Sequence, residues 1–105
     1  RGYYTNDVAS PNGDVRLMWD PITIPGGVTF HYFKSQYRLV FPNEGDTTAE
    51  DQDDTFAWND LPNSNHHQLM IPKNGFVRGS TYKFRVAAVT NTGRGGWGVS
   101  QNFTY

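Results

Sequence analysis

The sequence predicts an all-β protein in which seven strands form two antiparallel sheets packed face to face. Its apolar residues alternate with polar ones or occur in short runs separated by Gly, Pro, Asn and Asp, and helical periodicity is missing. This pattern is typical of strands joined by frequent turns. Seven short strands within 105 residues, with no helix between them, favour a sandwich over a parallel α/β sheet.

Three strands are predicted in the N-terminal part of the chain: Tyr3 to Ala9, Val15 to Trp19, and Phe33 to Phe41. The first is an edge strand, followed by a turn at residues 10–14, which include Pro, Asn and Gly. Pro21 ends the second strand, because proline has no amide hydrogen for the ladder. In the third strand, alternation puts Tyr37 and Leu39 on one face and Arg38 on the other.

Four further strands are predicted: Thr55 to Asn59, His67 to Ile71, Tyr82 to Val89, and a last strand that passes through Trp97 and ends at Tyr105. Side chains two residues apart share a face of a strand, so each strand should contribute every second residue to the interior. The side chains predicted to be buried are Trp19, Tyr37, Leu39, Leu69, Tyr82, Phe84 and Val86.

The order of these motifs resembles that of a fibronectin type III domain over nearly the whole chain. Gly13 to Pro21 is similar to the second strand of that family, whose tryptophan packs between the sheets, and residues 37–41 are similar to its third strand. Gly75 to Tyr82 resembles the tyrosine corner of sandwich folds, with Phe76 where the family usually has Leu and Arg78 where it usually has Pro. The long acidic segment after the third strand is a larger departure.

The resemblance implies an immunoglobulin-like β-sandwich formed by one domain over residues 1–105, which binds or spaces and does not catalyse. It also implies that Tyr82 buries its ring and bonds through its hydroxyl to a backbone group between Phe76 and Gly79. In that family the last hairpin is a common place for adhesion contacts, because loops cluster at the ends of the sandwich.

Charge and composition exclude several classes of function. The formal net charge is −1 and there are only nine Lys and Arg, which argues against nucleic-acid binding. No cysteine is present, so disulfides, thiolate metal sites and cysteine nucleophiles are excluded. The longest apolar runs are too short for a membrane span. A chain that starts at Arg1 is expected to be a processed form or a fragment.

An acidic run follows the third strand. It contains six carboxylates and no basic residue: Glu44, Asp46, Glu50, Asp51, Asp53 and Asp54. The order of these acids does not match an EF-hand loop. We expect a solvated loop that its like charges keep extended. A weak calcium site and a contact for a basic partner are the alternatives.

The remaining polar residues do not form a pattern of catalysis or metal binding. His66 and His67 are adjacent and would point to opposite faces of a strand, so they are not expected to bind one zinc ion together. No serine lies in a Gly-x-Ser-x-Gly elbow, and Gly93 to Gly96 joins two strands instead of opening a helix. We therefore expect no enzyme activity, no catalytic residue, no cofactor and no metal site.

The best candidates for a partner contact lie in the turn at residues 92–96. Arg94 and Gly95 occupy its tip, where a partner can approach the backbone closely. Trp58 is the second candidate, because an aromatic side chain on a short edge strand can anchor an interface. Asn102 begins an Asn-Phe-Thr sequon and is the candidate glycosylation site.

Three functions are consistent with these observations. The leading one is a non-catalytic protein-interaction or spacer module of a larger extracellular or cell-surface protein, for which a protein partner is expected. The first alternative is a structural or decoration subunit of a virus or phage particle or an extracellular filament. The second is a carbohydrate-binding accessory module of a hydrolase.

Overall fold

The computed structural model describes residues 6–9, 14–41, 43–45, 48–72 and 76–105. These residues contain nine strands: β1 (Asn6–Ala9), β2 (Val15–Met18), β3 (Phe30–Leu39), β4 (Asn59–Asp60), β5 (Gln68–Ile71), β6 (Thr81–Thr90), β7 (Gly93–Arg94), β8 (Gly98–Val99) and β9 (Phe103–Thr104). One short 3₁₀ helix covers Ala49–Gln52. The described ranges contain no α-helix.

The strands form two antiparallel sheets. One has the order β1-β2-β5, and the other has β4-β3-β6 with β7, β8 and β9 all paired to β6. Those last three segments follow one another along the same side of β6, so they are pieces of one interrupted strand. Counted in this way, the described residues form seven strands in two antiparallel sheets, as the sequence predicts.

The hydrophobic core draws its side chains from both sheets. Trp19 is 5% exposed and packs edge-on against Phe33, with 5.3 Å between ring centroids. The predicted burial of Trp19, Tyr82, Phe84 and Val86 is confirmed. Tyr37 and Leu69, also predicted to be buried, lie half-buried against this cluster.

Tyr82 forms the predicted corner between the sheets. Its side chain is buried, and its hydroxyl oxygen accepts a hydrogen bond from the backbone N–H of Val77 at 2.8 Å. The turn between Val77 and Tyr82 contains Gly79, whose φ of +86° suits glycine. The bond satisfies a phenol oxygen that burial would otherwise leave without a partner.

Three expectations about the middle of the chain are wrong. Leu39 is 56% exposed, because it is the last residue of β3 and lies beyond the hydrophobic cluster. The predicted strand at residues 55–59 is reduced to β4, because Asp53 accepts hydrogen bonds from the backbone N–H and the hydroxyl of Thr55 and turns the chain there. β3 begins three residues earlier than predicted and ends two earlier.

Some predicted features lie outside the described residues. They are the start of the first predicted strand, the turn at residues 10–13, Gly75 and Asp46.

Candidate functional site

The outer face of the four-stranded sheet carries three buried cations. Phe84 and Val86 point into the core, so Lys83 and Arg85, which alternate with them along β6, point outward. Arg38 of β3 stands directly opposite Lys83. Arg38, Lys83 and Arg85 are only 2%, 0% and 1% exposed. Like charges opposite each other repel, so this face requires anions.

The described part of the acidic run supplies those anions. We call residues 43–45 and 48–58 the acidic strap, because they cross this face of the sheet. Glu44 accepts hydrogen bonds from both terminal nitrogens of Arg38, with 3.0 Å between Nη1 and Oε1, and lies 3.3 Å from Lys83 Nζ. Asp51 Oδ1 lies 3.2 Å from the same Nζ. The Arg38 guanidinium lowers the pKa of Glu44 to about 2, so this carboxylate is ionised at neutral pH.

The short 3₁₀ helix positions Asp51. Its carboxylate accepts a hydrogen bond from the backbone N–H of Thr48 at 3.1 Å, which is the pattern of a capping box at the start of a helix. The same carboxylate then faces inward to Lys83. A local turn signal therefore places an acidic side chain over the buried cation.

Aromatic rings alternate with the cations on this face. We call Arg38, Trp58, Arg85, Trp97 and Arg94 the cation–aromatic stack. The Arg85 guanidinium carbon lies 4.2 Å from the ring centroid of Trp58 and 4.1 Å from that of Trp97, and Arg38 lies 5.0 Å from Trp58. Burial lowers the pKa of Arg85 to about 10. Because this value is still well above 7, Arg85 stays charged at neutral pH. Contacts of this kind compensate a buried cation in part for its lost hydration.

The expectation of a solvated, extended acidic loop is wrong for two of its carboxylates. The side chains of Glu44 and Asp51 are 5% and 8% exposed, because the cations of β3 and β6 pair with them. Asp53 and Asp54 do remain exposed. The signal for this pairing was in the sequence: Lys83 and Arg85 lie in a strand whose other face is core, and such cations require either solvent or a partner.

Two of the three predicted contact residues, Arg94 and Trp58, belong to one structure, the cation–aromatic stack. Arg94 lies at the exposed turn, with its guanidinium 4.4 Å from the ring of Trp97 and 2.5 Å from Asp54 Oδ2. Trp58 is half-buried at the other side of Arg85, and its Nε1 donates to the Glu50 carbonyl oxygen at 3.1 Å. Sequence reasoning placed both residues at the surface but did not connect them.

Gly95 and Asn102 are the other two predicted site residues. Gly95 is exposed, and its N–H donates to the carbonyl oxygen of Ala88 at 2.9 Å. Asn102 is half-buried, and its Nδ2 donates to the Glu44 carbonyl oxygen at 3.1 Å. Nδ2 is the atom that a glycan would modify, so glycosylation would leave it only one hydrogen for this bond.

The remaining candidates are dispersed. The adjacent His66 and His67 are both exposed, as is His31, and the nearby Phe33 is in the core. Within the described ranges, no group of three or more His, Cys, Asp or Glu side chains is placed to hold a metal ion. The described residues also contain no helix long and apolar enough to cross a membrane.

Solved structures of known proteins share this fold. The twitchin kinase region from C. elegans matches with a TM-score of 0.63 and 18% identity over 87% of this chain and 14% of that chain. Domains A168–A170 of titin match with a TM-score of 0.61 and 18% identity over 87% of this chain and 26% of that chain. The solution structure of a fourth FNIII domain from human matches with a TM-score of 0.57 and 14% identity over 98% of this chain and 70% of that chain. No family model and no curated protein matches the sequence.

These likenesses show that the chain has a fibronectin type III-like fold, as the sequence motifs predict. The chain spans only a small part of the twitchin and titin chains. Domains with this fold are typically non-catalytic interaction or spacer modules.

Proposed function

From this fold, we propose that the chain is a single fibronectin type III-like domain over residues 1–105 that serves as a non-catalytic protein-interaction or spacer module of a larger extracellular or cell-surface protein. The observation that carries the modular part of the proposal is that a stretch of this size makes up only 14% and 26% of the twitchin and titin chains that it matches. A sandwich with its own core is suited to such a role, because it holds its shape independently of its neighbours.

The use of the charged side chains supports the non-catalytic part of the proposal. Glu44 and Asp51 are bound to Arg38 and Lys83, so neither is free to act as a general acid or base. Their role is to neutralise the buried cations on the outer face of the four-stranded sheet. The 105-residue chain is therefore expected to show no hydrolytic or transfer activity.

The turn at residues 92–96 is the proposed protein contact. All five of its residues are exposed. Arg94 is held over Trp97 and against Asp54, so its guanidinium reaches a partner already ordered, and less side-chain entropy is lost on binding. Gly95 beside it allows close approach of a partner backbone.

Trp58 is the second proposed contact residue. It is half-buried, and its ring orders Arg85, which in turn lies against Trp97 under Arg94. Its substitution is therefore expected to affect both a direct contact and the support of the turn. Arg94 gives the cleaner test.

The test uses the full-length protein that contains this chain. Cross-linking and mass spectrometry identify the bound protein partner, and calorimetry measures its affinity. Arg94→Ala is expected to weaken binding by more than about fivefold, the threshold at which a contact carries binding energy. Arg78→Ala is the matched control, because Arg78 also lies over an aromatic ring, at 4.6 Å from Tyr105. Equal affinity of Arg94→Ala and wild type would remove this turn from the proposal, and turnover of a substrate by the chain would contradict its non-catalytic part.

A further inference from the structure

The outer faces of the two sheets differ in what covers them. The acidic strap lies over the four-stranded sheet, whereas on the three-stranded sheet Arg16 and Met70 are exposed and Met18 is half-buried. Met18 and Met70 are the only two methionines of the chain, and Met70 is 50% exposed. Flexible methionine side chains adapt to varied apolar partners, so this face has the character of a binding surface.

Arg16 differs from the other described arginines. Arg38, Arg85 and Arg94 form ion pairs, and Arg78 donates to the Tyr105 carbonyl oxygen. Among the described residues, Arg16 has no carboxylate within ion-pair distance, and its Nη1 lies 3.9 Å from Met18 Sδ. An exposed cation between two methionines is complementary to a ligand that is both apolar and acidic.

The edge of this sheet at β5 carries backbone groups that no described residue bonds. The Trp19 N–H donates to the His67 carbonyl oxygen at 3.1 Å, so this backbone group of His67 points towards the β2 side. The pairing of β5 with β2 continues from there in the same register. Backbone groups alternate in direction along a strand, so those of Gln68 and Met70 point away from β2. Ser64 Oγ donates to the Gln68 carbonyl oxygen. No described residue bonds the Gln68 N–H or either backbone group of Met70.

We propose that an extended, acidic and apolar segment of a partner protein adds to β5 as a further strand of this sheet. Its main chain bonds the N–H and C=O of Met70, an apolar side chain lies against Met70, and a carboxylate reaches Arg16. Adjacent strands lie about 4.8 Å apart, so the added strand is two spacings from β2, within reach of an arginine side chain. The inference rests on the proposed interaction function and assigns it a second surface and a partner chemistry.

The probe is a short synthetic peptide of alternating valine and glutamate, titrated into the ¹⁵N-labelled 105-residue chain and followed by NMR. A matched peptide with lysine in place of glutamate is the control. We expect saturable shifts at the amides of Gln68 and Met70 and slower hydrogen exchange at the Met70 amide. Arg16→Ala should weaken binding by up to about fivefold, as for an exposed ion pair, and Arg78→Ala should leave it unchanged.

A second variant tests the strand pairing itself. Met70→Pro removes the edge N–H and should abolish the shifts at Gln68, and the wild-type titration decides the matter if this variant does not fold. The proposal is overturned if no saturable shift occurs, if shifts map to another surface, if the lysine peptide binds equally well, or if the chain dimerises through β5 without peptide. Those results do not bear on the proposed contact at Arg94, and a negative Arg94→Ala test does not bear on the peptide titration. The two proposals can therefore be refuted independently of each other.

Discussion

The side-chain amide of Gln52 pairs with both backbone polar groups of Trp97. Its Nε2 donates to the Trp97 carbonyl oxygen at 2.8 Å, and its Oε1 accepts from the Trp97 N–H at 3.2 Å. Trp97 lies between β7 and β8, where the last strand is interrupted. Gln52 therefore supplies at the sheet edge the hydrogen bonds that a neighbouring strand would make, and it ties the acidic strap to that edge.

Gln52→Ala is expected to destabilise the protein by about 1–3 kcal/mol, because it leaves the buried Trp97 backbone groups without partners. Denaturant unfolding measures the difference. Gln101→Ala is the control, since Gln101 is exposed and its side chain has no hydrogen bond among the described residues. Equal losses in both variants would show that the pairing with Trp97 contributes nothing to stability.

Tyr82→Phe should cost about 1 kcal/mol, the usual net contribution of one hydrogen bond. The ring stays in place, and only the bond from the Val77 N–H is lost. Thermal or denaturant unfolding of Tyr32→Phe provides the comparison, because Tyr32 is half-buried and its hydroxyl bonds no described residue. A stability unchanged from wild type would contradict the role assigned to the corner.

Trp19→Ala should destabilise by about 3–5 kcal/mol, because it removes a large buried aromatic side chain and leaves a cavity. Trp19 packs against Phe33 and is 5% exposed. The measurement is the midpoint and slope of urea unfolding. A loss below about 1 kcal/mol, well short of the usual cost of a core aromatic, would mean that the ring is peripheral.

Stability should fall in acid through Glu44. Its pKa is lowered from 4.5 to about 2 in the folded protein, so its contribution is complete above pH 4.5 and is lost as the pH falls towards 2. Glu44→Gln should cost about 3–5 kcal/mol at pH 7, since it leaves Arg38 and Lys83 with too little negative charge. The difference between the wild type and this variant should shrink as the pH falls.

Chemical denaturation at a series of pH values tests this expectation. Asp20→Asn is the control, because Asp20 is exposed and forms no ion pair with a described residue. A gap between wild type and Glu44→Gln that stays constant from neutral to acid pH would show that Glu44 does not contribute through its charge.

The strands of the core could be predicted because alternation is a local property. Leu17 and Trp19 near the N-terminus, and Tyr82, Phe84 and Val86 near the C-terminus, show their inward face in the order of residues alone. The tyrosine corner is local too, since Val77 and Tyr82 are only five residues apart. Such features depend on neighbours in the sequence, so the sequence by itself determined the fold class.

What covers the outer face of the four-stranded sheet depends on residues that are far apart in the chain. Lys83 and Asp51 are 32 residues apart, and Gln52 and Trp97 are 45 apart. Alternation shows that Lys83 points away from the core, but it does not say whether water or another segment lies there. Only the tertiary structure decided that the acidic strap covers this face, because burial of a charge depends on whichever partner the folded chain brings to it.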